Sequence, residues 1–171
     1  SIGVKRPLII SAPFNDPSME ERMSGFRSAS AEFGHFFNES DIAFVDYSDN
    51  FIDIGKKVAE KTLIYQNQRK YDGIFVPAGD EVAIGVMQAL MEAGYKIPKD
   101  YKIIGFDDVP LSQLIYPSLT TIRQDLRRIG EASFELFMTR FNMKDSDKEV
   151  QEPFIPITEN IRTELIVRDS T

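Results

Sequence analysis

The sequence predicts an α/β fold: an open, doubly wound parallel sheet, followed by a C-terminal crossover helix and a return strand. Three observations predict it. Short apolar runs alternate with longer amphipathic stretches from residue 7 to residue 106, the pattern of strand–helix repeats that builds a parallel sheet with helices on both faces. The 171 residues suit one domain of about 150 residues with an appendage. After residue 107 the alternation gives way to a loop, one long helix and short extended segments.

Residues 7–12 (PLIISA) read as a buried strand. A helix over 17–33 follows, with Asp16 or Ser18 as N-cap, Ser18 and Glu21 at capping-box spacing, and Gly34 as stop. Residues 42–47 (IAFVDY) are the second strand. The helix over 50–66 sets Phe51, Ile54, Val58 and Tyr65 on one stripe. Residues 73–78 (GIFVPA) are the third strand, 80–93 a helix ended by Gly94, and 101–106 (YKIIGF) the fourth strand. DDVPLSQLIYPS reads as a loop, LTTIRQ as extended, 126–142 as a helix and KDSDKE as an exposed loop. Extended segments near 150–157 and 162–168 close the chain. In the latter, Thr163, Leu165 and Val167 alternate with Glu164, Ile166 and Arg168.

Composition excludes several classes. Hydrophobic residues make up 42% and charged residues 27%, a globular mix rather than a disordered or collagen-like one. The 20 Lys and Arg against 27 Asp and Glu give a formal charge of −7, and no basic run is present. A duplex-binding surface needs clustered cations, so this stretch is not expected to hold DNA by itself. The absence of Cys excludes disulfides, thiolate nucleophiles and Cys-ligated zinc. No apolar run approaches the ~20 residues that span a bilayer, and SIGVKRPLIISAP flows directly into a strand pattern instead of a secretory signal.

The common catalytic motifs are missing. There is no Gly-x-Gly-x-x-Gly, no P-loop and no Gly-x-Ser-x-Gly elbow. The single histidine, His35, follows the helix-ending Gly34 and reads as a solvated loop residue. No catalytic residue, metal ligand or cofactor is assigned.

Ligands of open α/β sheets sit beyond the carboxyl ends of the strands. That rim carries Asp16 and Ser18 after the first strand, Asp46 and Tyr47 at the second, Gly79 and Asp80 after the third, and Asp107 and Asp108 after the fourth. Carboxylates, an aromatic and a small turn suit a polyhydroxylated or heterocyclic ligand, although Asp, Ser and Gly also serve as plain turn and cap residues. Asp80 in particular sits where a helix cap would. Arg22 falls inside the apolar arc of Met19, Met23, Phe26, Ala29 and Phe33. It either snorkels or pairs with a structural Asp, or reaches past the sheet edge into a cleft. Helix 80–93 is apolar on nearly all sides, so it is covered more than once, by a second subunit or by a neighbouring helix. Helix 126–142 places Leu126, Ile129, Phe134, Leu136, Phe137, Met138 and Phe141 over roughly 200° of its circumference. It therefore requires two covering surfaces, from its own lobe or from a neighbouring chain.

These stretches together resemble the lactose-repressor (LacI/GalR) family of bacterial transcription regulators. The resemblance rests on ERMSGFRSA, GDEVAIGVMQAL, the IPKDYKIIGFDD run, LTTIRQDLRRIGE and the closing RTELIVRDST, in the expected order and over nearly the whole chain. It implies the C-terminal part of a periplasmic-binding-protein-like effector domain, with a DNA-reading helix-turn-helix and most of a first lobe lying outside these residues. Residues 1–125 then correspond to the C-terminal lobe, 126–148 to the crossover helix and loop that pack on the first lobe, and 149–171 to strands completing the lobe. By position, Arg22 and Asp107 resemble the effector-binding arginine and aspartate, and Tyr47 the aromatic that stacks on the ligand. Asp16 and Ser18 fall in the pocket loop, and Gln124 at the crossover by the cleft. Gly79 departs from the Asn of many sugar-responsive members. Asp108 reads as structural, because consecutive strand residues point opposite ways. Ile84, Met87 and Met91, with Leu114, Ile115 and Tyr116, resemble this lobe's share of a homodimer interface.

The implied function is that of a cytoplasmic, non-enzymatic regulator. It takes a sugar or sugar derivative as effector and binds operator DNA only through the headpiece. The rival readings are a solute-binding protein of a transport system and, from another class, a flavodoxin-like enzyme or receiver. A receiver requires its acidic pair after the first strand, whereas here the pair follows the fourth.

Overall fold

The computed structural model describes residues 3–13, 17–35, 37–46, 49–64, 71–144 (backbone only over 141–144) and 158–171. Its strands are β1 (Pro7–Ser11), β2 (Ile42–Phe44), β3 (Gly73–Phe75), β4 (Lys102–Asp107), β5 (Thr120–Gln124) and β6 (Thr163–Ile166). They form one six-stranded sheet in the order β2-β1-β3-β4-β5-β6. β1 pairs in parallel with both β2 and β3, β3 with β4, and β4 with β5. The order reverses at β1, which places the switch point of an open α/β sheet at the start of the chain.

The helices are α1 (Pro17–Glu32), α2 (Phe51–Ala59), α3 (Asp80–Glu92), α4 (Leu111–Leu114) and α5 (Leu126–Lys144). Alternation along β1 assigns the two faces. Leu8 and Ile10 join Ile54, Val82, Val86 and Leu90 in the larger core cluster, under α2 and α3. Ile9 joins Met23 and Ile42 in a second cluster, backed by Phe26 and Phe75, whose rings stack at 5.1 Å. The polar end of α2 is capped by Asn50, whose side chain accepts from the Asp53 N–H at 3.0 Å.

Most predicted elements are present, with four differences. The expected loop after β4 contains the short helix α4. The helix expected over 50–66 ends at Ala59 and continues as a π-helical turn, Glu60–Ile64. α1 starts at Pro17, so Ser18 lies inside the helix rather than ahead of it; Asp16 lies outside the described residues. The N-cap of α3 is Gly79, and Asp80 is its first helical residue.

α3 also corrects the interface expectation. Ile84 is 1% exposed and Met87 0%, both within the chain's own core. The cover for this helix is α2, which packs along it. At the crossing, a Cβ on Gly55 would lie 2.1 Å from the Val82 carbonyl oxygen, and one on Gly85 2.0 Å from that of Ile52. Two glycines thus let the backbones touch, and the side chains between them are sealed. Met91, Leu114 and Tyr116 are exposed, while Ile115 packs partly against the core.

The chain divides into two compact units, residues 1–123 with 165–171, and residues 124–164. In the second unit Asp125 accepts from the Arg128 N–H at 2.9 Å and so caps α5. Arg128 pairs with Glu135 at 3.2 Å and with Glu159. Phe134 and Phe137 on α5 are 63% and 62% exposed. The side chain of Phe141 lies outside the description. Among the described residues no helix is long and apolar enough to cross a membrane.

Candidate functional site

The carboxyl ends of β3 and β4 and the first turns of α1 meet at one rim. Arg22 leaves α1 with its side chain 20% exposed. Its guanidinium lies over the Phe106 ring, Cζ 3.9 Å from the centroid. Nη1 donates to the Pro77 carbonyl at 2.7 Å, and Nη2 is 3.8 Å from Asp107 Oδ1. Arg22 thus lies at the rim and pairs there with a carboxylate.

β4 ends at Asp107 with φ 111°, and Asp108 follows it at φ 56°, two consecutive left-handed residues. Non-glycine residues adopt this region at a cost of about 1–3 kcal/mol, and only where the surroundings impose it. Here the surroundings are explicit. Asp80, buried beneath the turn, accepts from Thr121 Oγ1 at 2.6 Å, Ser112 Oγ at 2.7 Å and the Val109 N–H at 3.1 Å. It thereby ties α3, the loop after β4, α4 and β5 together. Burial pushes its carboxyl above the ordinary value, and the hydrogen bonds oppose this only in part. Gly105 makes the approach possible, since a Cβ there would lie 2.1 Å from Asp80 Oδ1. Asp80 is therefore a buried anchor, not the helix cap its position implied.

The turn sends the two aspartates apart. Asp107 lies beside Arg22 and Gly79; a Cβ on Gly79 would sit 3.3 Å from Asp107 Oδ2. Asp108 accepts from Arg168 Nη2 and from Arg123 Nε, each at 2.6 Å. Burial would raise its carboxyl, but the two arginines outweigh burial and hold it below the usual range. Its structural reading is thus what the geometry gives.

Next to Asp107 opens a cleft of about 390 Å³ lined by Asp49, Phe51, Gly79, Glu81, Asp107 and Val109, among others. Asp49 is ion-paired with Lys57. Phe51, placed by the sequence on a helix stripe, is 47% exposed at the cleft. Carboxylates and one aromatic therefore face the space, and one of those carboxylates, Asp107, lies 3.8 Å from the Arg22 guanidinium. Among the described residues no group of three His, Asp or Glu side chains could hold a metal ion.

The structure thus brings Arg22, Asp107 and Gly79 together. Ser18 is exposed in the first turn of α1, Gln124 ends β5 in the second unit, and Asp16 and Tyr47 lie outside the described residues. Sequence reasoning missed Phe106, Pro77, Ser112, Thr121 and Phe51. Phe106 alone carried a signal, as the residue preceding Asp107 on a strand.

Residues 2–171 match the periplasmic binding protein-like domain family. The chain is 31% identical over 161 residues to the HTH-type transcriptional repressor PurR of Vibrio vulnificus (strain CMCP6), covering 94% of this chain and 44% of that protein. It is 33% identical over 153 residues to the ribose operon repressor of Halalkalibacterium halodurans, covering 89% and 41%. A solved LacI family transcriptional regulator from Enterococcus faecium, with bound ribose, matches with a TM-score of 0.76 at 25% identity, over 99% of this chain and 57% of that one. The chain spans less than half the length of these curated relatives.

Proposed function

This chain belongs to the periplasmic-binding-protein-like family in the form found in LacI-type regulators, and from that membership we propose that it is the effector-binding lobe of a ligand-controlled transcriptional regulator, taking a neutral, hydroxyl-rich molecule such as a sugar. The observation that carries the proposal is the Arg22–Asp107 pair at the rim of the cleft. A hydroxyl both donates and accepts, so a guanidinium beside a carboxylate matches two neighbouring hydroxyls of one ligand. Phe51 offers an apolar face to the C–H side of a sugar ring. Asp49, Glu81 and Asp107 line the same space and disfavour an anionic ligand. The ribose operon repressor among the relatives, and the ribose bound by the similar solved regulator, support a pentose or related sugar.

In this reading the ligand bridges this lobe and a second one. Closure over it shifts the relative pose of paired subunits, and with it the fit of their DNA-reading headpieces to an operator. The compartment is the cytoplasm. The relatives are named as repressors rather than enzymes, and the site needs no catalytic group. The partner face of this lobe lies at Met91, Leu114 and Tyr116, without Ile84 and Met87.

The test is isothermal titration of the protein in its full length against a panel of neutral sugars, D-ribose included, and their phosphate esters. A neutral sugar binds, and Arg22→Ala and Asp107→Ala each weaken it by about 1.5–3 kcal/mol, the range for hydrogen bonds to charged groups. Unchanged affinity in both variants refutes the site, and preference for a phosphate ester refutes the ligand class.

A further inference from the structure

Arg22 is held from three sides, and two of them come from residues outside the proposed ligand contacts. The Pro77 carbonyl takes one edge of the guanidinium at 2.7 Å, and Asp107 faces another at 3.8 Å. The flat face rests on Phe106, 3.9 Å from the ring centroid. Phe106 itself is 8% exposed, against 20% for the Arg22 side chain. The ring therefore lies beneath the cation on its buried side, well within the roughly 6 Å over which a cation is attracted to an aromatic face.

We propose that Phe106 is a positioning residue for ligand recognition. Its ring seats the Arg22 guanidinium in one plane, with the remaining donors turned toward the cleft beside Asp107. The inference rests on the ligand-binding reading of this rim. A single carbonyl fixes one donor of a long, flexible side chain but not the plane of the group, whereas an aromatic face fixes the plane. A guanidinium carries five N–H donors, so a ring below and one carbonyl at the edge leave donors for a ligand. The ring and the Asp107 carboxylate belong to consecutive residues of β4, which holds them at a fixed spacing. Strand alternation would send them to opposite faces; the left-handed backbone at Asp107 (φ 111°) turns its carboxylate back to the same arginine.

The experiment is arginine side-chain NMR on the 171-residue chain, with the Arg22 Nε–Hε resonance assigned by its loss in Arg22→Lys. The ring places that resonance upfield of exposed arginines and slows its exchange with water. In Phe106→Leu the shift disappears and exchange accelerates by about tenfold, while Phe106→Tyr, which keeps a ring, restores both. A Phe106→Leu protein that melts earlier but leaves the Arg22 resonance in place overturns the proposal, because Phe106 is then only a core residue. Should Phe106→Leu not fold, the parent chain and Phe106→Tyr decide. A ring-shifted Arg22 resonance in both supports the seat, and an exposed-arginine shift in the parent chain overturns it. D-Ribose added to the full-length protein and to the same variants in it separates this from the ligand reading. A ring-shifted resonance that ribose leaves unmoved in every variant counts against ribose binding while the seating of Arg22 stands. Where ribose does perturb it, Phe106→Leu requires about tenfold more sugar.

Discussion

Arg168 shows how much of this site is held by residues that never reach the cleft. Its Nη1 donates to the Leu119 carbonyl at 2.7 Å and its Nη2 to Asp108 at 2.6 Å. The side chains of Arg168 and Asp108 are 13% and 9% exposed, so the pair is screened only weakly. Because Asp108 is held below the ordinary 3.8, its contribution to stability is complete above that value and is lost as pH falls through the lowered one. Arg168→Gln is expected to cost about 1.5 kcal/mol at neutral pH, near the low end for charged hydrogen bonds because Arg123 remains as a partner. The deficit shrinks below pH 3.8; urea unfolding from pH 7 to pH 3 measures it, and a deficit independent of pH contradicts the assignment. Asp80 acts in the opposite sense: its carboxyl is raised, so ionisation weakens the fold as pH rises above 3.8. The sequence separated Asp108 from Asp107 by strand alternation, with the role of Asp107 taken from the family resemblance. It did not identify Asp80 as an anchor, because its hydroxyl and N–H donors come from Ser112, Thr121 and Val109. A carboxylate at a helix start looks the same whether its partners are its own helix or three distant elements.

Among the elements, the α2–α3 crossing separates what periodicity can and cannot say. An all-apolar helix must be covered on several sides, and the sequence of α3 states that requirement without naming the cover. The cover is decided by Gly55 and Gly85, whose missing side chains let the helices close to backbone contact. Gly85→Ala and Gly55→Ala are therefore expected to destabilise by about 3 kcal/mol, the upper range for overpacking, since a carbonyl oxygen near 2 Å from the new Cβ cannot yield like a side chain. Gly25→Ala, in α1 with nothing within 4 Å of its Cβ, is expected to stabilise by about 0.5–1 kcal/mol through helix propensity and a less free unfolded chain. Thermal unfolding of the three variants checks both signs, and equal effects at the three positions would remove the crossing as the reason Ile84 and Met87 are buried.

For the whole molecule, charge sets what the chain does alone. At −7, with no cationic cluster, the 171 residues are expected not to retard duplex DNA at physiological salt; a salt-sensitive gel shift by this chain alone would place recognition within it. The order of strands and helices and the acidic rim are legible in the sequence, because local periodicity and the rule that ligands sit beyond strand ends are written into neighbouring residues. Arg22 and Asp107 as a ligand-facing pair came from the family resemblance, since the residues by themselves left Arg22 open. Tertiary structure alone decided three further things: that Ile84 and Met87 face inward, that Phe106 lies under Arg22, and that Asp80 anchors the turn presenting Asp107. Each of these joins residues tens of positions apart through a packing distance or a backbone angle. One-dimensional pattern fixes which face of an element is apolar, but only the closed, densely packed chain fixes what that face meets.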